Sequence, residues 1–271
     1  MKLSGIHIYP VKSTQGHDLR HAIVEPWGLA GDRRYLVTGP DGAMITARTH
    51  PKLLTCRAEL DGDRLTLTAP GARPLVVVPS QATRPVSVWD DPVELRDCGD
   101  DAAAWLTALL DAPARLMWLD DPTRRQVDQR YGRPDETVSL ADGYPLLLAT
   151  TASLARLNDW VAETAAERGE ESPEPLVMRR FRPSLVIDGA QAAFAEDDWK
   201  RVRVGEVEFR VTKGCDRCVL TTIDPNTLAK GKEPIRTLSR HRKWDGKVRF
   251  GINLIPEAPG QVSLGDQVTV L

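Results

Sequence analysis

Apolar residues in the first third of the chain recur in short runs separated by polar turns. Leu65 and Leu67 lie on one face of the alternating run at residues 64–68. Residues 39–42 (GPDG) are a strong turn signal. The other short β-rich runs are at residues 1–9, 34–37, 43–47, 74–79 and 85–89. Many short strands at close spacing predict a β-barrel or a β-sandwich.

Two stretches carry apolar residues at helical spacing. Residues 100–110 begin with two aspartates, whose charges are favourable at a helix N-terminus. Residues 151–168 form the second predicted helix, with Leu154, Leu157 and Val161 along one side. Further strands are predicted at residues 184–187, 201–204, 207–211, 249–255, 262–264 and 268–271. The fold class is therefore predicted to be mixed α/β and rich in strands.

The segment over residues 120–136 is polar, rich in arginine and proline, and predicted to be a loop or linker. It divides the chain into two predicted domains, residues 1–120 and residues 121–271. The 271 residues are 41% hydrophobic and 27% charged, which is an ordinary globular composition with enough length for a substantial core.

Charge and hydropathy limit the classes of partner. A net charge of -2 gives no reason to expect nucleic acid. The longest apolar runs, such as residues 74–79 and 144–149, are far too short to cross a bilayer. The N-terminus reads MKLSGIHIYPVKS, with no long apolar region and no small-residue cleavage site. We therefore expect a cytoplasmic protein with neither a membrane nor a nucleic-acid partner.

Candidate chemistry centres on Cys215 and Cys218, two of the four cysteines in the chain. So few cysteines in a long chain do not form a disulfide scaffold. The C-x-x-C spacing leaves four interpretations open: a structural zinc site, a redox dithiol, two half-buried residues without chemistry, and a single thiolate that binds a soft metal.

The neighbouring residues weigh against the first two interpretations. Zinc sites need four ligands, and the nearest candidate pair, His17 and His21, is nearly two hundred residues away in the sequence. A thioredoxin-like dithiol opens a helix, whereas residues 219–225 are β-branched, stop at a proline, and predict a strand or a turn. One thiolate suffices for a metal when an organic cofactor supplies the other ligands. The interpretation without chemistry stays open at this point.

The residues around the pair resemble a known family. Residues 215–225 (CDRCVLTTIDP) resemble the signature of the MOSC domain, named for the C-terminal part of molybdenum cofactor sulfurase. The similarity is to the branch containing the mitochondrial amidoxime-reducing component and the bacterial YcbX-type proteins. Five other stretches resemble the same family in the same order: residues 8–13 (IYPVKS), 28–35 (GLAGDRRY), 46–48 (TAR), 181–184 (FRPS) and 264–266 (LGD).

The resemblance implies a fold, a cofactor and a set of site residues. The family has an N-terminal β-barrel-like domain and a C-terminal MOSC β-barrel with flanking helices. It binds molybdenum held by a molybdopterin, and the second cysteine of the pair, here Cys218, is the protein ligand of the metal and the catalytic residue. The residues implied as cofactor contacts are Lys12, Ser13, Arg33, Asp142, Gly143, Tyr144, Arg182, Ser184, Asp216 and Arg217.

Elementary chemistry supports the cationic part of this set. A phosphate dianion needs cationic donors, and a guanidinium offers two parallel hydrogen bonds. Lys12 adds a point charge, and Ser13 adds hydroxyl and backbone donors. Arg217 beside the cysteine pair favours a thiolate. The alternative interpretation of each cation is an exposed, solubilising charge.

Several residues depart from the pattern of the mitochondrial relatives. Those proteins carry small hydroxyl residues where this chain has Gly143 and Tyr144, an asparagine is common at the position of Ser184, and a serine replaces Asp216 in the animal proteins. These departures leave the metal ligand intact. The family's pattern of hydrogen bonds around the cofactor and its range of substrates are therefore not carried over to this chain.

The implied activity is that of a molybdenum-cofactor oxidoreductase. It reduces the N–O bond of small N-hydroxylated compounds by oxygen-atom transfer to molybdenum, with amidoximes, hydroxylamines and hydroxylated nucleobases as substrate types. One alternative is a non-enzymatic molybdenum-cofactor carrier or sulfur-delivery module. Another is a thiol oxidoreductase that uses Cys215 and Cys218 as a dithiol.

The expected redox partner is a separate protein. Some relatives carry a fused ferredoxin-like domain with clustered cysteines, whereas this sequence has no such cluster and is expected to lack a fused iron–sulfur cluster. Electrons are then expected from a ferredoxin or a flavin reductase. Residues 230–249, called here the basic segment, hold eight Lys or Arg residues against two acidic ones. It is a candidate dock for an acidic electron carrier, with Arg240 and Arg242 as the positions to test.

Overall fold

The structure, a computed structural model, describes residues 1–62, 64–171 and 173–271. Within those ranges it has three α-helices and twenty β-strands, so the predicted strand-rich α/β class is confirmed. No helix in these ranges combines the length and the apolar character needed to cross a membrane. The helices are α1 Gly99–Leu110, α2 Thr151–Glu167 and α3 Ile235–His241.

Most of the strands are short, as the sequence predicts. They are β1 Lys2–Ile8, β2 His17–Leu19, β3 His21–Glu25, β4 Gly28–Leu29, β5 Tyr35–Thr38, β6 Met44–Ile45, β7 Arg57–Asp61, β8 Arg64–Thr68, β9 Leu75–Val77, β10 Thr83–Val88, β11 Asp91–Asp97, β12 Arg115–Trp118, β13 Leu146–Thr150, β14 Leu185–Asp188, β15 Arg201–Val204, β16 Val207–Asp216, β17 Lys243–Trp244, β18 Lys247–Pro256, β19 Gly260–Ser263 and β20 Val268–Val270. Short 3-10 helices cover Pro51–Thr55, Pro122–Arg124, Met178–Phe181, Ala195–Asp198 and Val219–Thr222.

The chain forms two compact units that interleave along the sequence. Unit 1 consists of Met1–His7, Asp18–Pro26 and Leu146–Leu271, and unit 2 consists of Ile8–His17 and Trp27–Pro145. The segment predicted as a linker belongs to unit 2, where its Val127 is buried. The predicted domain limits, residues 1–120 and 121–271, stay a prediction about the family domains.

In unit 1 the main sheet has the strand order β1-β14-β13-β18-β16-β15-β20. Its two longest strands, β16 and β18, pair antiparallel, and the register shifts on both sides of Gly214. Such bulges bend a strand and re-aim its side chains, and they are frequent beside functional sites. The irregular end of β16 carries Cys215, and the strand runs five residues further than the sequence pattern predicts.

Helix α2 begins where the sequence predicts it. The hydroxyl of Thr150, just before the helix, accepts a hydrogen bond from the backbone N–H of Ser153 at 3.1 Å, which is an ordinary N-cap. The apolar stripe of α2 packs into a core with the rings of Phe181 and Phe250, whose centroids are 4.0 Å apart. Burial of this apolar surface stabilises the unit at roughly 25 cal/mol per Å². It also anchors the segment that continues from Phe181 into Arg182.

Unit 2 is built on a sheet of order β10-β11-β12-β5-β6 and a smaller sheet of order β7-β8-β9. Leu65 and Leu67, the alternating pair in the sequence, are fully buried on β8. Helix α1 starts one residue before its predicted start, because the carboxylate of Asp97 accepts a hydrogen bond from the Gly99 N–H at 2.8 Å. The strands and α1 therefore follow the local pattern of apolar residues closely.

A buried carboxyl lies at the start of α2 in unit 1. Glu196 is fully buried and receives hydrogen bonds from the Ser153 hydroxyl at 2.7 and 2.9 Å, and from the Thr150 hydroxyl at 3.1 Å. Burial raises the pKa of Glu196 above its ordinary value, and the hydrogen bonds from Ser153 offset only part of that rise.

We expect Glu196→Gln to remove part of the pH dependence of folding. As pH rises past the ordinary pKa of a glutamate, the unfolded chain loses this proton while the folded chain keeps it, so folding becomes less favourable. The free energy of unfolding of the wild type should therefore fall more steeply than that of the variant between pH 5 and pH 8. Urea unfolding of both proteins at the two pH values measures the difference. Parallel pH dependences would contradict the prediction.

Candidate functional site

Cys215 and Cys218 lie at the end of β16 in unit 1. Cys215 is the penultimate residue of the strand, and Cys218 directly precedes the 3-10 helix Val219–Thr222. The Cys218 carbonyl accepts hydrogen bonds from the backbone N–H and the hydroxyl of Thr221, at 3.1 and 2.9 Å. The predicted strand or turn after the pair is thus a single 3-10 turn. No α-helix starts at the pair in this described stretch, unlike in a thioredoxin-like dithiol.

Arg217 is held firmly between the two cysteines. Its guanidinium donates to the Cys215 sulfur at 3.0 Å and to the Phe181 carbonyl at 2.6 Å, and its backbone N–H donates to the Val248 carbonyl at 2.7 Å. All of these partners are uncharged groups in their usual forms. Within the described part of the chain the guanidinium has no carboxylate partner, so its positive charge is not neutralised there.

The other two cysteines are placed where they do no chemistry. Cys56 and Cys98 are buried, and burial raises the pKa of the Cys56 thiol to about 12. Burial, with a smaller effect of Asp97, likewise raises the pKa of Cys98. Cys215 and Cys218 are only half-buried. Among the described residues no three His, Cys, Asp or Glu side chains lie together as a metal site would require.

An open cavity of about 400 Å³ lies beside Cys218 in unit 1. This volume falls within the usual range of small-molecule sites. The residues that line it are Arg217, Cys218, Val219, Thr222, Lys230, Gly231, Lys232, Ile235 and Arg236. The candidate metal ligand therefore faces a space in which a small molecule can bind.

Much of the basic segment is neutralised by acidic partners. Arg236 pairs with Glu233 at 2.5 Å and with Glu170 at 3.0 Å, and Arg240 pairs with Glu167 at 2.8 Å. Docking of an electron carrier on the basic segment stays a prediction, but the surroundings of Arg242 make it a poor position for such a contact. This side chain is buried against the Phe194 ring and pairs with Asp197, so it is structural.

The other predicted contacts in unit 1 have mixed surroundings. Arg182 has a φ of 54°, in the left-handed region, directly after the 3-10 helix Met178–Phe181. Ser184 is fully buried, and its hydroxyl accepts a hydrogen bond from the Leu147 N–H at 3.4 Å. Asp216 is paired with Lys213 at 2.8 Å and with Arg249 at 3.4 Å. These are positions in or next to the sheet, and their roles toward a cofactor stay predictions.

In unit 2 the structure brings Lys12 and Asp142 into contact. Lys12 is only 6% exposed, donates to the Leu140 carbonyl at 2.8 Å, and pairs with the Asp142 carboxylate. Burial lowers the pKa of Lys12 to about 8, although the neighbouring Asp142 opposes the shift. Burial by itself would raise the pKa of Asp142, but Lys12 and then Arg48 lower it well below its ordinary value. Since the Asp142 side chain is 65% exposed, this group reaches solvent.

Three predicted cofactor contacts have strained backbones. The φ angles are 71° at Ser13, 47° at Arg33 and 54° at Arg182, among eight non-glycine residues with positive φ in the described ranges. Such conformations cost about 1–3 kcal/mol each and cluster at functional sites. Arg33 also pairs with the buried Asp32 and lies 4.3 Å from the Tyr9 ring centroid. Burial alone would lower the pKa of Arg33, but the neighbouring Asp32 raises it above its ordinary value. The Arg33 guanidinium therefore stays a cation.

Arg125, which no sequence motif singles out, holds the loop that carries Asp142. Arg125 is 3% exposed and donates to the carbonyls of Ser139, Ala141 and Asp142 at 2.7, 2.5 and 3.2 Å. It also pairs with Asp91 at 3.1 Å. Residues 120–136 are polar in composition, and the sequence does not distinguish a buried arginine from an exposed one.

Trp89 and Arg48, which were not predicted as site residues, lie beside Lys12 and Asp142. The Arg48 guanidinium lies 4.3 Å from the centroid of the Trp89 ring and 3.5 Å from the Asp142 carboxylate, and Lys12 lies 5.6 Å from the same ring. Trp89 itself has a φ of 57°. The signal for Arg48 was present, since it belongs to the TAR stretch that resembles the family.

Gly143 and Tyr144 follow Asp142 on the same loop. A Cβ at Gly143 would meet nothing within 4 Å, so this backbone faces open space. Tyr144 packs edge-on against Tyr131, with ring centroids 6.4 Å apart. Tyr144 is thus a packed residue of unit 2, and the Gly143 backbone is the open part of the loop.

The family of the chain follows from these motifs and from comparison with known proteins. Residues 1–113 match the MOSC N-terminal beta barrel domain, and residues 135–269 match the MOSC domain. The chain belongs to the family of MOSC proteins in which these two domains follow one another.

Within that family the chain is similar to the mitochondrial amidoxime-reducing components. It is 33% identical to component 1 of Homo sapiens over 285 residues, which cover 97% of this chain and 81% of that protein. It is 34% identical to component 1 of Mus musculus over 286 residues, covering 97% and 80% of the two chains. The crystal structure of the YUAD protein from Bacillus subtilis matches 98% of this chain and 93% of that one, at 11% identity and a TM-score of 0.40, a likeness too weak to carry an argument.

Proposed function

We propose that the protein is a molybdenum-cofactor oxidoreductase that reduces N-hydroxylated compounds, with Cys218 as the protein ligand of the metal. One observation carries the proposal: in a chain similar to amidoxime-reducing components, Cys218 lies half-buried at the wall of an open cavity of about 400 Å³. A thiolate ligand needs that accessibility, whereas Cys56 and Cys98 lack it.

The donor set fits a molybdopterin. A soft thiol is available for the metal, and the cofactor's phosphate needs cationic donors. Lys12 is a nearly fully buried cation, and Arg33 is a partly buried one. Ser13 supplies a hydroxyl on a strained turn beside Lys12. A Cβ at Gly143 has open space, so the loop backbone can approach a planar ring system.

The proposed roles follow from charge and position. Lys12, Ser13 and Arg33 would hold the phosphate, and the loop at residues 142–144 would contact the pterin. Arg182 and Arg217 would supply positive charge to the cofactor, while Ser184, just before β14, and Asp216, at the end of β16, would fix the backbone next to these arginines. When bound, the cofactor supplies the oxygen-atom transfer and two-electron redox chemistry. The chain would orient the substrate and exclude competing reactions.

The proposed partners are a small substrate and a separate electron-donor protein. The substrates are small N-hydroxylated compounds such as amidoximes, and the electron donor is a separate ferredoxin or flavin reductase. Lys243 and Lys247, which are exposed and have no ion-pair partner among the described residues, are better docking candidates than Arg242. We keep a cytoplasmic location as part of the proposal.

Two measurements test the function. Protein from a host that makes molybdenum cofactor should contain close to one molybdenum per chain by elemental analysis. The same protein should reduce benzamidoxime to benzamidine with an artificial electron donor. Bound molybdenum without turnover would replace the reductase proposal with the cofactor-carrier alternative, and absence of molybdenum would overturn both.

We expect retention of the cofactor to weaken at alkaline pH because of Lys12. Burial lowers the pKa of this ammonium to about 8, so it is a cation at pH 7 and loses its charge as pH rises past that value. A bound phosphate stabilises the Lys12 cation and so raises the pH at which this charge is lost. Losing one charge-assisted hydrogen bond, worth about 1.5–3 kcal/mol, predicts dissociation about tenfold faster or more.

The measurement is the rate of cofactor release between pH 7 and pH 10. Lys12→Arg keeps the charge throughout this range and should flatten the profile. An equally steep rise in the variant would show that another group causes the release.

A further inference from the structure

The cavity beside Cys218 has an apolar wall and a basic rim. Val219 and Ile235 provide apolar surface, and none of the nine described residues that line the cavity is acidic. Four of them are basic: Arg217, Lys230, Lys232 and Arg236. A concave apolar surface with a few charged groups at its edge is typical of a small-molecule site.

The four cations differ in how much of their charge is available. Arg236 is neutralised, because Glu233 and Glu170 both contact it. Arg217 contacts a thiol and a carbonyl, so its charge is not balanced. Lys230 and Lys232 are exposed and have no ion-pair partner within the described residues. The cavity therefore carries excess positive charge.

We propose that this cavity selects N-hydroxylated substrates that also carry an anionic group, a carboxylate or a phosphate, on a small apolar or aromatic body. The inference rests on the proposed function, since it concerns the substrate class of the same Cys218 site. The apolar wall takes the body of the substrate, and Lys230 and Lys232 attract the anion. An amidoxime with a carboxylate on its ring is the simplest member of the class.

A small anionic molecule fits these observations better than an acidic protein. A protein partner needs a broad charged surface, and the neighbouring Arg236, Arg240 and Arg242 are already paired with carboxylates of this chain. Among the described residues that line the cavity, Arg217, Lys230 and Lys232 carry charge that no carboxylate balances. Because these lysines are exposed, their attraction should weaken as salt is added.

Binding is measured first, independently of catalysis. The probes are 4-carbamoylbenzoate and benzamide, which have the same body and differ in one carboxylate. Isothermal titration of the purified protein should give a Kd about tenfold lower for the carboxylate, because Lys230 and Lys232 can both pair with it. The double variant Lys230→Gln/Lys232→Gln should lose this preference. The matched control Lys52→Gln/Lys200→Gln, which removes the same charge from exposed positions outside the cavity, should keep it.

Turnover is measured second, with 4-carboxybenzamidoxime and benzamidoxime. The ratio of their kcat/KM values should fall about tenfold in the Lys230→Gln/Lys232→Gln variant and stay constant in the control. Equal affinity of the wild type for the two probes would overturn the inference even if both amidoximes are reduced. Equal loss of the preference in both double variants would show that the overall charge of the protein, and not the cavity lysines, causes it, and would overturn the inference as well. Selective binding without any turnover would instead refute the proposed function.

Discussion

Cys218→Ala is expected to abolish both metal retention and reductase activity. The side chain is half-buried beside the cavity, and its backbone is fixed by Thr221, so alanine removes the thiol with little change to the fold. Loss of outer-shell groups already lowers metal affinity or activity by about 10–100-fold, so loss of the ligand itself should cost at least about a hundredfold. Molybdenum content and the kcat/KM for benzamidoxime are the two quantities to measure.

Cys215→Ser is the matched control for this prediction. The Cys215 sulfur accepts a hydrogen bond from Arg217 at 3.0 Å, which a serine hydroxyl can also accept. Molybdenum should therefore stay bound, and activity should stay within about tenfold of wild type. The dithiol alternative requires the opposite, because both cysteines of a dithiol are indispensable. Equal inactivation by the two substitutions would favour that alternative.

Arg125→Met is expected to destabilise the protein by about 3 kcal/mol. The buried guanidinium satisfies the carbonyls of Ser139, Ala141 and Asp142, and methionine leaves them without a donor. The loop that holds Asp142 against Lys12 should then become mobile, and cofactor retention should fall with stability. Urea unfolding and molybdenum content measure the two effects.

Arg124→Met provides the comparison one residue away. The Arg124 side chain is 36% exposed and pairs with Asp120 at 2.5 Å. Ion pairs this close to solvent are worth about 0–1 kcal/mol, so this variant should stay near wild-type stability. If the two variants lose equal stability, the buried contacts of Arg125 are not what holds the loop.

The strained residues explain why the family motifs are informative beyond their side chains. Ser13, Arg33 and Arg182 belong to three separate stretches that resemble the family, and each has a positive φ. A non-glycine residue with a positive φ has a strained backbone, and the surrounding packing must offset the free energy of that strain. These positions are therefore constrained in backbone geometry as well as in chemistry, which makes each motif a specific signal.

The sequence by itself determined much of the secondary structure and the family of this protein. Alternating apolar residues such as Leu65 and Leu67 predict strands, and the stripe on α2 predicts a helix, because these patterns depend only on residues close in the chain. The ordered motifs, with Cys218 among them, indicate the MOSC family for the same reason. The residues of a motif are neighbours in the chain, so the motif can be identified from the sequence alone.

The tertiary structure alone decided which charges are free. The basic segment looks uniformly cationic in sequence, yet Arg236 and Arg240 are paired with Glu170 and Glu167 on or just after α2, and Arg242 is buried. Arg125 likewise lies in a stretch whose composition predicts an exposed loop. Charge neutralisation and burial depend on contacts between residues far apart in the chain, and no local pattern records those contacts.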